Sequence, residues 1–164
     1  MGEVIVVMGV SGCGKSTVGQ KLSQVLAASF LEGDDYHPPK NVEKMSRGTP
    51  LTNADRTVWL DQILSAVNTS RAPIIILSCS ALTSYVQKRL LEGTQRSIRW
   101  IWLSAPKEII AARLAKRSDH FMPPELLNSQ FAALSPPKDA IKIDISGSVE
   151  QAMGTIVERL SARP

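Results

Sequence analysis

The segment Gly9-Val10-Ser11-Gly12-Cys13-Gly14-Lys15-Ser16 constrains the fold more than any other feature of the sequence. It satisfies the pattern G-x-x-x-x-G-K-[ST] and lies between an apolar, β-branched stretch at 3–8 and apolar residues at helical spacing over 16–28. In that order, glycines let the loop turn with its amide N–H groups pointing inward at an anion, and the helix presents its positive N-terminal end to the same anion. The segment therefore predicts a strand, an anion-binding loop and a helix.

Short β-branched runs alternate with helical patterns along the rest of the chain. We predict strands at 3–8, 29–31, 74–77, 98–103 and 141–145, and helices at 16–28, 41–46, 52–67, 84–92, 106–116, 125–134 and 149–160. Thr52 is the predicted N-cap of its helix, and Asp55 completes a capping box. Such alternation predicts an α/β fold: a parallel five-stranded sheet flanked by helices on both faces.

Composition excludes several classes of protein. The 164 residues, 43% of them apolar and 21% charged, suit one globular domain over 1–164. The net charge of +4 is scattered and aromatic residues make up 5%, so we expect no nucleic-acid partner. Apolar runs are too short for a membrane span, so we expect no membrane partner. The first residues lack a signal-peptide pattern. The sequence has two cysteines, Cys13 and Cys79, and neither belongs to a CxxC motif. Together these observations predict a reduced, cytoplasmic setting.

The glycine-rich segment is a P-loop, the nucleotide-binding loop of many ATPases and kinases. Lys15 is predicted to reach the β- and γ-phosphates of ATP, and the Ser16 hydroxyl to ligate Mg²⁺. The residues predicted to contact the nucleotide are Gly9, Val10, Ser11, Gly12, Cys13, Gly14, Lys15, Ser16 and Thr17. A GTPase would carry N-K-x-D, which the sequence lacks, and a motor ATPase would be longer. A P-loop NTPase fold that serves as a small-molecule kinase is what remains.

Acidic residues follow the second predicted strand. In open parallel sheets ligands bind beyond the carboxyl ends of the strands, which places Glu32 and Asp34 beside the P-loop. A carboxylate there can orient the acceptor hydroxyl, take its proton, or hold Mg²⁺ through water. These roles stay open for Asp34 on the residues alone.

The middle of the chain resembles the gluconokinase signature. The residues that carry the resemblance are Gly33-Asp34-Asp35-Tyr36-His37-Pro38, Asn41, Lys44-Met45, Gly48, Pro50-Leu51, Asp55-Arg56 and Trp59-Leu60, followed by Cys79-Ser80-Ala81-Leu82, His120-Phe121-Met122-Pro123-Pro124 and Gln130-Phe131. The match covers nearly the whole chain in order. It implies a P-loop kinase of the nucleoside-monophosphate-kinase-like group, with a small mobile lid at about 117–124 and often a homodimer. The implied reaction is phosphorylation of D-gluconate by ATP to 6-phosphogluconate, which feeds the pentose phosphate pathway.

The resemblance also implies roles for individual side chains. Asp34 would be the base, and Glu32 would hold Mg²⁺ through water. Gluconate is an anionic polyol, and the residues implied to bind it are Asp34, His37, Lys44, Arg56 and His120, with Arg56 shaped for its carboxylate. Arg113 and Arg117, four residues apart on a predicted helix, would share a face and close on ATP, with Arg117 assisting catalysis.

The sequence departs from the family pattern around the acceptor side and the lid. Asn53 replaces a carboxylate, and Asp119 replaces a glycine. Thr83 stands where relatives carry a basic residue, and Val86-Gln87 stands where they carry a Tyr-Arg pair. Other acceptors therefore stay open, namely shikimate, a nucleoside monophosphate or another sugar acid. A nucleotide-binding module without catalysis is the alternative from a different class, and intact Lys15 and Asp34 argue against it.

Overall fold

The computed structural model describes residues 2–117 and 124–162. Its strands are β1 (Glu3–Met8), β2 (Ser29–Glu32), β3 (Ile74–Ser78), β4 (Ser97–Ser104) and β5 (Ile141–Asp144). Its helices are α1 (Lys15–Val25), α2 (Pro39–Ser46), α3 (Asn53–Thr69), α4 (Ser84–Gly93), α5 (Lys107–Ala115), α6 (Pro124–Ala133) and α7 (Val149–Ser161), with a 3₁₀ turn at Gly33–Tyr36. The predicted alternation of strands and helices is confirmed.

All neighbouring strands are parallel, and their order in the five-stranded sheet is β2-β3-β1-β4-β5. The central strand β1 thus lies between β3 and β4. The next two strands along the chain, β2 and β3, lie on one side of β1, and the last two, β4 and β5, lie on the other. This switch in direction opens a crevice beyond the carboxyl end of β1, where the P-loop begins.

Side chains of β1 alternate between two apolar layers, as a strand covered on both faces requires. Ile5 and Val7 pack with residues of α1, α5, α6 and α7. Val4, Val6 and Met8 pack with residues of α3 and α4. The predicted placement of helices on both faces is confirmed, and the sheet is the rigid platform that carries the loops at its carboxyl edge. No helix of the described residues is long and apolar enough to cross a membrane.

Two of the differences between the predicted and the observed helix termini have a clear local cause. The first helix ends at Val25, not at residue 28, because Ala27 takes the left-handed conformation (φ 50°) and the Ala28 N–H bonds the Ser23 carbonyl at 2.8 Å. That is the hydrogen bond of a Schellman ending, which turns the chain directly into β2. The second helix begins at Pro39 rather than at 41, since a proline in the first turn needs no amide hydrogen bond.

The capping box predicted at the start of α3 is present. The Thr52 hydroxyl accepts from the Asp55 N–H at 3.1 Å, and the Asp55 carboxylate accepts from the Thr52 N–H at 2.9 Å. The box fixes the first turn of α3, which carries Asp55 and Arg56 towards the carboxyl edge of the sheet.

Candidate active site

The P-loop has the backbone shape that its glycines permit. Gly9 and Gly14 have φ angles of 148° and 93°, in the region that L-residues rarely adopt. A methyl group at Gly9 would come within 2.9 Å of the Leu103 carbonyl oxygen, whereas one at Gly14 would meet no atom of the described residues within 4 Å. Gly14 therefore borders open space at the start of α1, as an anion cradle requires.

The amino terminus of α1 is left free for an anion. Gly14 offers no side-chain cap and the first turn holds no acidic residue, so the helix dipole and its first N–H groups are uncompensated. The Lys15 ammonium donates to the Gly9 and Val10 carbonyls, each at 3.1 Å. An ammonium group has three protons, so one remains for a phosphate oxygen.

The side chain of Gln130 on α6 hydrogen-bonds to the P-loop at Ser11. Its Oε1 accepts from the Ser11 N–H at 2.8 Å, and its Nε2 donates to the Ser11 hydroxyl at 3.1 Å. Sequence reasoning noted Gln130 within the family signature but assigned it no role. The contact joins residues 119 positions apart, so no local pattern reveals it.

Acidic residues converge on the same edge of the sheet. The Ser16 hydroxyl donates to the Glu32 carboxylate, which ends β2. Asp34 follows on the 3₁₀ turn and is exposed to the cavity described below. Burial raises the pKa of the Cys79 thiol to about 12, and among the charges that act on it are Asp34, Lys15 and Glu32. The thiol therefore stays neutral among these three charged groups, consistent with a structural role.

A cavity of about 510 Å³ opens between the P-loop and the helices that follow β2 and β3. Its size is that of a small-molecule site. The charged and polar residues that line it include Ser11, Lys15, Asp34, His37, Thr49, Arg56, Thr83 and Gln130, and the apolar ones include Met45, Leu51, Trp59, Leu82 and Val86. The structure thus brings Lys15, Asp34, His37 and Arg56, four of the residues predicted for the site, to one cavity.

One wall of the cavity is an aromatic stack. The imidazole of His37 lies on the indole of Trp59, with ring centroids 4.4 Å apart and planes 9° from parallel. Trp59 is itself fixed by donating from Nε1 to the Gly33 carbonyl at 2.7 Å. Burial lowers the pKa of His37, against an opposing effect of Asp34, so the imidazole is neutral at physiological pH.

Lys44 departs from its predicted place. Its ammonium pairs with the Asp55 carboxylate at 2.7 Å, and it is not among the described residues that line the cavity. The Lys44 hydrogen bond, with help from the Thr52 N–H, lowers the pKa of Asp55 to about 2. The structure thus places Lys44 as a partner of Asp55 and not in the cavity lining, and its contact with the acceptor stays a prediction. Arg56 lies in the lining and donates to the Asn53 side chain at 3.1 Å.

Comparison with known proteins agrees with this geometry. The family model described as an AAA domain matches residues 4–137. The thermosensitive gluconokinase of Escherichia coli is 39% identical over 154 residues, which cover 90% of this chain and 82% of that protein. The gluconokinase of Gluconobacter oxydans is 44% identical over 82% of this chain and 76% of its own length. The chain belongs to the gluconokinase family.

Solved structures also support membership of the gluconokinase family and the P-loop kinase fold. A crystal structure of a gluconokinase from Sinorhizobium meliloti matches with a TM-score of 0.84 and 34% identity, covering 97% of this chain and 95% of that one. A shikimate kinase from Aquifex aeolicus has a TM-score of 0.62 at 19% identity, which shows a shared fold only. The resemblance seen in the sequence and the predicted P-loop kinase fold are both confirmed.

Two of the positions at which this chain departs from the gluconokinase pattern, Thr83 and Gln87, have structural roles, whereas Asp119 lies outside the described residues. Thr83 caps α4 by accepting from the Val86 N–H at 3.4 Å, and both residues line the cavity. Gln87 is buried and donates from Nε2 to the Ala81 and Ser135 carbonyls, each at 2.9 Å. The cavity wall formed by Thr83 and Val86 is therefore uncharged.

The predicted residues of the lid side are only partly within the described structure. The Arg113 guanidinium donates to the Ile145 carbonyl and, at 3.4 Å, to the Gly147 carbonyl, so it is anchored to the loop after β5. Arg117 is exposed and lies beyond the end of α5 at Ala115, so the prediction that it shares a helix face with Arg113 is wrong. The helix stops because Lys116 and Arg117 bond carbonyls three residues back, in a tighter turn. His120 and most of the predicted lid at 117–124 lie outside the described residues.

Proposed function

We propose that this protein transfers the terminal phosphoryl group of ATP to D-gluconate, giving ADP and 6-phosphogluconate. The observation that carries the proposal is the single cavity that Lys15, Asp34, His37 and Arg56 line in a chain of the gluconokinase family. A cation for phosphate, a carboxylate for the reacting hydroxyl and a guanidinium for a carboxylate are the groups that this reaction needs.

The residues around the P-loop suit ATP. Lys15 has one proton left for a phosphate oxygen, and the uncapped start of α1 adds N–H groups with a positive dipole end. The open space beside Gly14 leaves room for a phosphate group close to the backbone. For the other side of the nucleotide we retain Arg113 and Arg117 as proposed contacts, with Arg113 already held near the loop after β5.

The Ser16–Glu32 pair suits Mg²⁺. Since Ser16 donates its proton to Glu32, the lone pairs of its hydroxyl oxygen are free to face a cation. No cluster of three or more His, Cys, Asp or Glu side chains that could cage a metal occurs within 2–117 and 124–162. This agrees with Mg²⁺, which keeps several waters and is usually held by one or two protein groups together with substrate phosphates. When bound, the ion would neutralise charge on the phosphates; Ser16 would ligate it and Glu32 would orient its water.

Three other residues that line the cavity suit the acceptor. We propose that Arg56 binds the gluconate carboxylate through its planar guanidinium. Asp34, which lines the same cavity as Lys15, accepts the proton of the hydroxyl that attacks the phosphorus, and His37 contacts a neighbouring hydroxyl. The proton moves from the acceptor oxygen to a carboxylate oxygen of Asp34 as the new P–O bond forms and the bond to ADP breaks. His120 stays a proposed contact.

An activity assay with a panel of candidate acceptors tests the proposal. ADP release is followed by a coupled assay with gluconate, shikimate, nucleoside monophosphates and other sugar acids at equal concentrations. We expect gluconate to give the highest kcat/KM. Turnover with another acceptor and none with gluconate would refute the substrate, and ATP binding without turnover on any acceptor would favour the non-catalytic module.

Location and assembly belong to the same proposal. The thiols of Cys13 and Cys79 are buried and unpaired, which favours a reducing compartment such as the cytoplasm. The homodimer expected from the family resemblance stays a prediction, which gel filtration with light scattering would test.

A further inference from the structure

The side chain of Asn41 lies buried between α2 and the start of α3, with no exposed surface. Its Nδ2 is 3.0 Å from the Asp55 carbonyl oxygen and 3.3 Å from Nδ1 of His37. An amide nitrogen carries two protons and accepts no hydrogen bond. Each proton therefore has one partner, and the His37 Nδ1 is an acceptor.

The opposite orientation of the Asn41 amide is disfavoured by the same contacts, even though the adopted one leaves Oδ1 buried without a hydrogen-bond partner among the described residues. Exchanging the amide oxygen and nitrogen would place Oδ1 3.0 Å from the Asp55 carbonyl oxygen, two acceptors in a buried site. The Asp55 backbone cannot move away easily, because the Thr52–Asp55 capping box fixes it in the first turn of α3. The direction of the hydrogen bond to His37 is thus set by the backbone of another helix.

A neutral imidazole that accepts at Nδ1 must carry its proton on Nε2. The ring of His37 is held by its stack on Trp59, which is itself bonded to the Gly33 carbonyl. Within residues 2–117 and 124–162, Nδ1 is bonded to Asn41 and no protein partner is found for Nε2. His37 lines the cavity, so Nε2–H is available to a ligand there.

Asp34 and His37 offer opposite hydrogen-bonding groups to the same ligand. They lie at the two ends of one turn, in which the His37 N–H bonds the Asp34 carbonyl at 3.4 Å. The Asp34 carboxylate accepts from a hydroxyl, and an Nε2–H of His37 donates to a hydroxyl oxygen. Adjacent hydroxyl groups of a polyol, each both donor and acceptor, match this pair.

We propose that Asn41 is a positioning residue that fixes His37 as the Nε2–H tautomer, so that His37 donates a hydrogen bond to the acceptor hydroxyl next to the one that Asp34 deprotonates. The role in gluconate binding rests on the proposed function, whereas the tautomer does not. The arrangement selects polyols over acceptors that present only hydrogen-bond donors at this position, because a protonated Nε2 repels another donor.

The tautomer is measured directly on the unmodified protein. The sequence contains two histidines, His37 and His120, so a long-range ¹H–¹⁵N spectrum of the imidazoles holds two patterns, and His120→Gln assigns them. At neutral pH we expect His37 to show a proton-free Nδ1 and a protonated Nε2. A protonated Nδ1, or an imidazolium, overturns the proposal.

The positioning role is measured by exchanging the donor of Asn41 for an acceptor. Asn41→Asp should move the His37 proton to Nδ1, raise KM for gluconate by about 5- to 10-fold, the value of one net hydrogen bond, and leave KM for ATP unchanged. Asn68→Asp is the matched control, because Asn68 also donates to a carbonyl, that of Gly93 at 2.9 Å, but far from this cavity. Equal effects of the two variants on gluconate KM would contradict the proposal.

A second variant keeps the test decisive if Asn41→Asp does not fold. His37→Phe retains a ring against Trp59 and removes the donor, so gluconate KM should rise by a similar factor. A gluconate KM within twofold of the wild-type value would overturn the hydrogen bond to the acceptor. If the wild-type protein shows the expected tautomer but does not phosphorylate gluconate, the proposed function fails by itself and the assignment to gluconate falls with it.

Discussion

Replacing Gly14 by alanine separates the two requirements of the P-loop, its backbone shape and its open space. The φ of 93° costs an L-residue about 1–2 kcal/mol relative to glycine. Among residues 2–117 and 124–162, no atom lies within 4 Å of the added methyl group, so steric clash with this part of the chain contributes nothing. For a domain of this size we expect the Tm to fall by about 2–8 °C.

The methyl group should weaken nucleotide binding far more than it weakens the fold. It would stand in the space where we place a phosphate group, at the uncapped start of α1. A hydrogen bond to a charged group contributes about 1.5–3 kcal/mol, so the loss of one weakens binding of Mg-ATP about 10- to 150-fold. Isothermal titration calorimetry gives this Kd, and scanning fluorimetry gives the Tm.

Gly154 provides a matched control for this variant. It lies within α7, away from the cavity, and an added methyl group there also meets no atom within 4 Å, but its backbone is helical. Gly154→Ala should stabilise the helix by about 0.5–1 kcal/mol, raise the Tm by a few degrees and leave the Kd for Mg-ATP unchanged. If Gly14→Ala lowers the Tm but binds Mg-ATP within twofold of the wild-type Kd, the open space beside Gly14 is not the phosphate site.

Three further predictions concern charged side chains. Lys15→Ala should lower kcat by at least about 100-fold because an ammonium no longer balances charge on the transferring phosphate; near-normal turnover would refute that role. Asp34→Asn should lower kcat by about 10²- to 10⁴-fold with little change in the Kd for ATP, and an unchanged kcat would exclude it as the base. The pKa of Asp55 lies at about 2 instead of 3.8, chiefly through Lys44, so its stabilisation is complete above pH 3.8 and is lost as pH falls towards 2. Lys44→Met should flatten the dependence of the unfolding free energy on pH in that window, measured by urea titrations; an unchanged slope would contradict the pairing.

Local signals in the sequence predicted most of the fold. The strand β1, the P-loop that follows it and the capping box of Thr52 and Asp55 depend on neighbouring residues, and each was found as predicted. The first helix ended early because a left-handed Ala27 has no sequence signature comparable to glycine. Arg117 was misplaced for a similar reason, since a helix carboxyl end without glycine or proline is hard to locate.

The parts of the site that the sequence did not reveal depend on contacts between distant segments. The pattern of residues suggested that Lys44 was free to bind an anionic ligand, but its partner Asp55 is on another helix and buried. Gln130 on α6 hydrogen-bonds Ser11 of the P-loop, and Asn41 joins two helices and His37. Such hydrogen bonds follow from tertiary packing, which charge and spacing alone do not encode.

The central claim, transfer of phosphate from ATP to a gluconate hydroxyl in the cavity beside the P-loop, is tested most directly by ³¹P NMR of the wild-type reaction. With Mg-ATP and gluconate, we predict that the γ-phosphate signal declines as ADP and a phosphomonoester signal coupled to the protons of a CH₂ group grow together. A spectrum in which ATP remains intact, or in which only inorganic phosphate accumulates, would contradict the account.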